Sequence, residues 1–383
     1  MRKVISVFLL AILVLSVLGM VVLVTASGTR GEALYRDPNF FWVRQIGYFI
    51  GGFFVALFLS RFDYHWFREK KLILFLFFAV VAMLLALWIP GVGKTVNGSL
   101  RWFRIPGVGI QIQPSEFAKI MIVIAMSVWL THLGPKVRRF KWGAAASGII
   151  ILCYLIPIAF QPDFGCSFVL LVLAGAIMIV ARVPLPYFAV MAAIGVMGIG
   201  GMVAMNENRM ARIKAYMEGT ETTSSKGHHL KQSVLSFQAG GPWGVGLGNS
   251  IQKHAYLPEA HTDFIFAIAG EELGLPATLG TVVLFAIILF CGMVIVFNAP
   301  DALGRYIAFG AVLLLVFQGA FNMGVVTGVL PTKGLALPFV SYGGSSILTD
   351  FMAVGLILNV ARHILRGDEH LHTSYVKDAV QSV

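Results

Sequence analysis

Ten apolar runs, each near the length of a lipid-spanning helix, constrain this chain more than any other feature. A spanning helix needs about 20 mostly apolar residues, because about 30 Å of hydrocarbon must be crossed at about 1.5 Å per residue. The runs lie at about 4–25, 44–60, 71–89, 114–132, 143–160, 166–181, 184–205, 275–297, 304–329 and 345–365. Only 12% of the residues are charged, whereas a soluble domain carries about a quarter. The expected fold is an all-α polytopic membrane protein with about ten transmembrane helices. The first run follows Met1-Arg2-Lys3. It exceeds the roughly 7–15 residues of a signal peptide's apolar core and reads as a retained span.

The net charge of +11 is spread over short loops rather than gathered in a basic domain, which argues against nucleic-acid binding. Lys and Arg fall in alternate loops. Arg2 and Lys3 precede the first span; Arg61, Arg68, Lys70 and Lys71 follow the second; Lys136, Arg138, Arg139 and Lys141 follow the fourth. Arg182, Arg305, Arg362 and Arg366 continue the alternation. Cytoplasmic loops hold such an excess, so both termini are expected in the cytoplasm. The outer loops are then about 26–43, 90–113, 161–165, 206–274 and 330–344. The largest, 206–274 between spans seven and eight, contains Phe237, Trp243 and Tyr256, which points to ordered structure. The expected organisation is one transmembrane domain over 1–366 and a cytoplasmic tail over 367–383. Cys153, Cys166 and Cys291 lie in or beside apolar runs and read as small hydrophobes.

Ionisable residues near membrane depth are costly and point to function. On the outer side these are Glu116, Asp163, Asp263, Glu271 and Glu272. Asp263 follows Pro258-Glu259-Ala260-His261-Thr262 and precedes Phe264-Ile265-Phe266. One reading makes it an N-cap for the next helix. The other makes it a general base, its pKa set between burial and nearby cations. Glu271 and Glu272 fall about 80° and 180° around a helix from Asp263, so spacing supports no carboxylate pair, and they read as structural. Arg101, Arg104, Arg209, Arg212, Lys253 and Lys333 lie in outer loops, against the positive-inside tendency. They suit an anionic partner, with lipid-headgroup anchoring as the plainer alternative. Lys119 stands three residues after Glu116 within span four and is either self-neutralised or functional. The run Gly240 to Asn249 follows no strand, which removes a dinucleotide-loop reading. Ser341 to Ser346 offers hydroxyls at a helix start, as an anion seat or a plain turn. His228-His229 is a pair in a polar loop and makes no metal site by itself.

Five blocks resemble the SEDS family of bacterial cell-wall proteins, in the family's order and across nearly the whole chain. They are Asn97 to Trp102, Gln113 to Lys119, Gln161 to Gly165, Pro258 to Asp263, and Ser341 to Ser346. Gly248 to Lys253 and Leu330 to Leu335 resemble the division branch (FtsW) more than the elongation branch (RodA); the sporulation branch is harder to separate. The run from Lys94 to Arg101 and the pair Cys166-Ser167 depart mildly from the family pattern.

The resemblance implies a ten-span peptidoglycan glycosyltransferase that polymerises lipid II during septal wall synthesis. Asp263 corresponds to the family's essential aspartate. As general base it would serve a single inverting displacement that expels undecaprenyl pyrophosphate. The expected substrate-binding set is Arg101, Glu116, Lys119, Arg209, Arg212, Lys253, His261, Lys333 and Ser341. A divalent cation (Mg or Mn) is expected to share the leaving-group charge, with no organic cofactor. Expected partners are a class B penicillin-binding protein, other divisome membrane proteins and membrane lipids. The expected location is the bacterial inner membrane at the septum, with the active site on the extracytoplasmic face. Two other classes stay open. One is a lipid II flippase, which Glu116 and Lys119 inside span four keep in view. The other is a scaffold that activates the transpeptidase.

Overall fold

The computed structural model describes residues 1–96, 99–104, 111–161, 163–204, 210, 225–253, 260–330 and 334–381. Helices α1 (Arg2–Tyr35), α2 (Phe40–Arg61) and α3 (Lys70–Ala86) come first. Three short strands follow, β1 (Gly93–Val96), β2 (Ser99–Arg104) and β3 (Gln111–Ile112). Then come α4 (Pro114–Leu133), α5 (Ala146–Phe160), α6 (Phe164–Val180), α7 (Leu185–Ala204) and α8 (Ser225–Gly240). The chain closes with α9 (Ile265–Phe297), α10 (Ala302–Val326) and α11 (Gly344–Gln381).

A helix stands at each of the ten apolar runs. Among the described residues, seven helices are long and apolar enough to cross a membrane, and α6 and Leu185–Gly198 of α7 are shorter apolar helices. The outer faces expose large hydrophobics such as Leu13, Phe53, Phe58, Phe75 and Phe290. Water would not tolerate so much apolar surface, whereas lipid tails would cover it. Inside, α2 lies along α11, α1 against α9, α9 against α10, and α4 among α6, α10 and α11. Glycines set the closest approaches. A Cβ on Gly19 of α1 would lie 2.6 Å from Val340 Cα, and one on Gly52 of α2 would lie 2.4 Å from the Phe351 ring. Small residues at such crossings are how membrane helices gain van der Waals contact. The strands form an antiparallel sheet in the order β1-β2-β3, with Gly93 opposite Phe103 and Phe103 opposite Ile112.

Two elements depart from the expectation. Helix α1 continues to Tyr35, well beyond 4–25. The segment 206–274, expected as loop, contains α8 and the first limb of α9, 265–273. Gly274-Leu275-Pro276 marks a boundary in the sequence, and the helix breaks there into two limbs, 265–273 and 275–297. Gly274 turns the axis with φ 68° and ψ −152°. The 241–253 segment presses against that turn. Val245 N donates to Glu271 O at 2.9 Å, Gly246 N donates to Glu272 O at 3.0 Å, and a Cβ on Gly274 would lie 2.5 Å from Gly244 N. The kink therefore requires a residue with no side chain. Gly274→Ala should cost on the order of 1–3 kcal/mol, read as a lower thermal midpoint of the detergent-solubilised chain. An unchanged midpoint would show that the kink tolerates a side chain.

Candidate functional site

Asp263 sits in the turn 260–264, just before α9. The helix takes Phe264 as its N-cap, with no side-chain capping bond there. The Asp263 carboxylate is partly exposed and lies against Gly334, where a Cβ would come within 2.5 Å of Oδ2. The turn is held by the segment 334–342. Tyr342 N donates to His261 O at 3.0 Å, and Ser341 Oγ donates to Thr262 O at 2.6 Å. Asn322 of α10 donates from Nδ2 to Asp263 O at 2.9 Å and to Leu335 O at 2.6 Å. Gln45 of α2 donates from Nε2 to Ser341 O at 3.0 Å. These bonds satisfy irregular backbone away from water, which apolar surroundings demand. They also fix the backbone of the turn that carries Asp263, from α10 and the 334–342 segment.

The other expected ligands take defined places. Ser341 is buried; besides its bond to Thr262 O, its Oγ accepts from Leu337 N at 2.8 Å. His261 is buried, with its imidazole 4.6 Å from the Phe41 ring and 5.8 Å from the Tyr342 ring. Burial, together with Tyr48, pushes the Tyr342 phenol above its usual range, so this wall stays neutral.

Deeper in the bundle, Lys119 Nζ pairs with Glu116 Oε2 at 2.7 Å and donates to Gln318 Oε1 at 2.6 Å. Thr349 Oγ1 donates to Glu116 Oε2 at 3.2 Å. Gln318 Nε2 then donates to Ala336 O at 3.0 Å, so this buried pair is wired to the segment that faces Asp263. Glu116 lies in the first turn of α4, where the helix dipole favours a negative charge.

Asp163 caps α6 by accepting from Cys166 N at 3.3 Å, and it accepts from Gln113 Nε2 and Ser115 Oγ at 3.1 Å each. Arg101 Nη1 lies 3.8 Å from Asp163 Oδ1, and Arg101 Nε donates to Gln161 O at 3.4 Å. The sheet thus delivers Arg101 to the start of α6.

Lys253, expected among the substrate-binding residues, is paired within the protein. Its Nζ lies 3.1 Å from Glu272 Oε1 and also donates to Gly248 O, and its side chain is 6% exposed. Glu272 further accepts from Thr25 Oγ1 of α1 at 2.6 Å. Glu271 accepts from Ser250 Oγ at 2.6 Å and Ile251 N at 2.9 Å. Both glutamates pin the 241–253 segment to α9, the structural role their spacing suggested. Arg209, Arg212 and Lys333 lie outside the described residues, as does the Arg104 side chain.

Sequence reasoning missed Gln45, Gln318, Asn322, Thr349 and Asp350, all buried. Each interrupts an apolar run, and polar residues inside a span were the available signal. Asp350 Oδ2 accepts from Phe339 N at 3.3 Å, which steadies a non-glycine residue at φ 65°. Lys119→Met alone should strand a buried carboxylate at a cost on the order of 3–5 kcal/mol. Adding Glu116→Gln should restore most of the thermal midpoint; no recovery in the double variant would deny the coupling.

Comparisons with known proteins show the family and the fold. The family model described as "Cell cycle protein" (FTSW_RODA_SPOVE) matches residues 5–365. The chain is 35% identical to a probable peptidoglycan glycosyltransferase FtsW of Geobacter sp. (strain M18), over 92% of this chain and 95% of that protein. It is 37% identical to stage V sporulation protein E of Bacillus subtilis (strain 168), again over 92% and 95%. Among solved structures, it matches a chain of a peptidoglycan synthase complex that coordinates polymerization and crosslinking. The TM-score is 0.75 at 24% identity, covering 93% of this chain and 97% of that one. The rod shape determining protein RodA of Thermus thermophilus gives a TM-score of 0.67 at 24% identity, covering 93% and 95%. The chain belongs to the FtsW/RodA/SpoVE family of cell cycle proteins.

Proposed function

We propose that this chain is a peptidoglycan glycosyltransferase that joins lipid II units, with Asp263 as general base. The observation that carries the reading is the Asp263 carboxylate, partly exposed beside Gly334 and fixed by backbone bonds from Asn322 and the 334–342 segment. The name borne by the FtsW relatives supports the activity.

The acceptor sugar's 4-hydroxyl gives its proton to Asp263 as its oxygen bonds to the donor's anomeric carbon. The bond from that carbon to undecaprenyl pyrophosphate breaks, and the pyrophosphate leaves with the electron pair. An α-linked donor becomes a β-linked product in one displacement, so one base suffices. A positioned base contributes about 10²–10⁴-fold. The leaving group's charge calls for cations, and Lys333, which directly precedes Gly334 in the chain, is the first candidate. Magnesium takes one or two carboxylates plus substrate phosphate oxygens. Asp263 with the pyrophosphate fits that donor set, and the ion would supply positive charge to the leaving group.

In this reading both termini are cytoplasmic, the ten helices span the membrane, and the Asp263 turn faces outward. The partner is a class B penicillin-binding protein at the septum, a pairing supported by the synthase-complex neighbour. The flippase reading loses weight, because Glu116 and Lys119 neutralise each other in place.

The test supplies labelled lipid II to the chain purified with its transpeptidase. Asp263→Asn should lower polymer formation by about 10²–10⁴-fold; undiminished polymer from this variant would sink the assignment. Lys333→Ala should cut activity severely while insertion and partner binding persist. Loss of expression instead would make Lys333 structural. EDTA should suppress the reaction and Mg or Mn restore it.

A further inference from the structure

At the far end of α9 the chain turns through Asp301 into α10 and meets the turn after α2 and the later part of α11. Three side chains from these segments, Asp63, His65 and His363, each bring a ligand atom within 4.8 Å of the others. Asp63 caps the 3-10 turn Tyr64–Arg68, accepting from His65 N at 2.9 Å. Its Oδ1 lies 2.7 Å from His65 Nδ1 and 3.3 Å from His363 Nε2. The remaining ring nitrogens also meet oxygens: His65 Nε2 lies 3.2 Å from Asp301 Oδ2, and His363 Nδ1 lies 3.0 Å from Asn359 O.

All four imidazole nitrogens therefore face oxygen atoms, so each ring is held on both edges. That arrangement suits a metal ion among Asp63 Oδ1, His65 Nδ1 and His363 Nε2. The inner nitrogens give lone pairs to the metal, and the outer N–H groups donate to Asp301 and the Asn359 carbonyl. Ligating histidines are oriented by such outward bonds to a carboxylate or backbone carbonyl.

We infer that Asp63, His65 and His363 form a binding site for a divalent transition-metal cation of the zinc type. Two imidazoles and a carboxylate are donors that zinc accepts, with water completing the tetrahedron. Ligands about 2.0–2.1 Å from a tetrahedral zinc lie about 3.3 Å apart, the separation already present between Asp63 Oδ1 and His363 Nε2. Between Asp63 Oδ1 and His65 Nδ1, now 2.7 Å apart, the gap must open by about 0.6 Å.

The surroundings are built to hold the rings. The Tyr64 ring lies 4.1 Å from that of His65 and 4.8 Å from that of His363. Tyr64 OH donates to Asp301 Oδ1 at 2.9 Å, and Arg68 donates to Asp301 Oδ2. Arg68 thus offsets the Asp301 charge and leaves the Asp63 charge for the cation. Arg362 donates to Arg61 O at 3.4 Å. Asp63 and His65 are 46% and 37% exposed, so an ion can enter from water. The ion would tie the α2–α3 connection to α11.

The test uses the full chain carrying a tag without histidines, purified in detergent and stripped with a chelator. Zinc(II) and cobalt(II) are titrated in turn. One ion per chain should bind, cobalt should give a visible ligand-field spectrum, and zinc should raise the thermal midpoint. His363→Gln should weaken binding by at least about tenfold. His65→Gln, the more exposed ligand, is the second variant and should do the same. His370→Gln/His372→Gln in the tail should change nothing. Absent stoichiometric binding, or zinc affinity unchanged in the His65→Gln/His363→Gln double variant, would overturn the site.

Discussion

Backbone that leaves regular helix inside an apolar bundle must find its hydrogen-bond partners within the protein, and the 334–342 segment shows how this chain meets that demand. Its polar groups close on the 260–264 turn through Ser341, Tyr342 and Asn322, and on α2 through Gln45. An unsatisfied backbone group in hydrocarbon costs several kcal/mol, so these bonds are strongly enforced. The position of Asp263 follows from them. The same necessity that keeps the segment folded keeps the carboxylate in register with Gly334.

The buried charges obey a matching rule. Glu116 is matched by Lys119, Glu272 by Lys253, and Glu271 by Ser250 and the Ile251 amide. Removing one member of such a pair costs far more than removing both, because it leaves a charge with neither water nor counter-ion. Asp163 joins α6, the start of α4 and Arg101 in the same way. Asp263 differs in being partly exposed at the mouth of the bundle, where a sugar hydroxyl could reach it.

Hydropathy made the helices legible, because lipid imposes a length and a composition on every span. It could not show that the helix after Asp263 is joined to the next span through a kink at Gly274. The partners of Glu271 and Glu272 are Ser250, Lys253 and Thr25, which only the fold brings to them. Lys253 looked ligand-facing for the same reason: its partner stands 19 residues away, beyond the reach of periodicity. Asp263 was singled out by local context and family resemblance, while the contacts that hold its turn belong to the fold. Gln318 and Asn322 were visible as polar interruptions of an apolar run, but their targets, Ala336 O and Leu335 O, belong to the fold. The Asp63–His363 contact joins positions 300 residues apart, which spacing along one chain does not reveal.

The joint at Gly274 divides α9 into a short limb and a long one, and only the short limb adjoins Asp263. Gly244, Glu271 and Glu272 fasten the 241–253 segment to that limb at the joint itself. The arrangement is that of a handle beside a pivot. The exposed segment around Trp243 and Leu247 is thereby joined by backbone hydrogen bonds to the limb that follows Asp263, and Thr25 of α1 holds the same limb through Glu272.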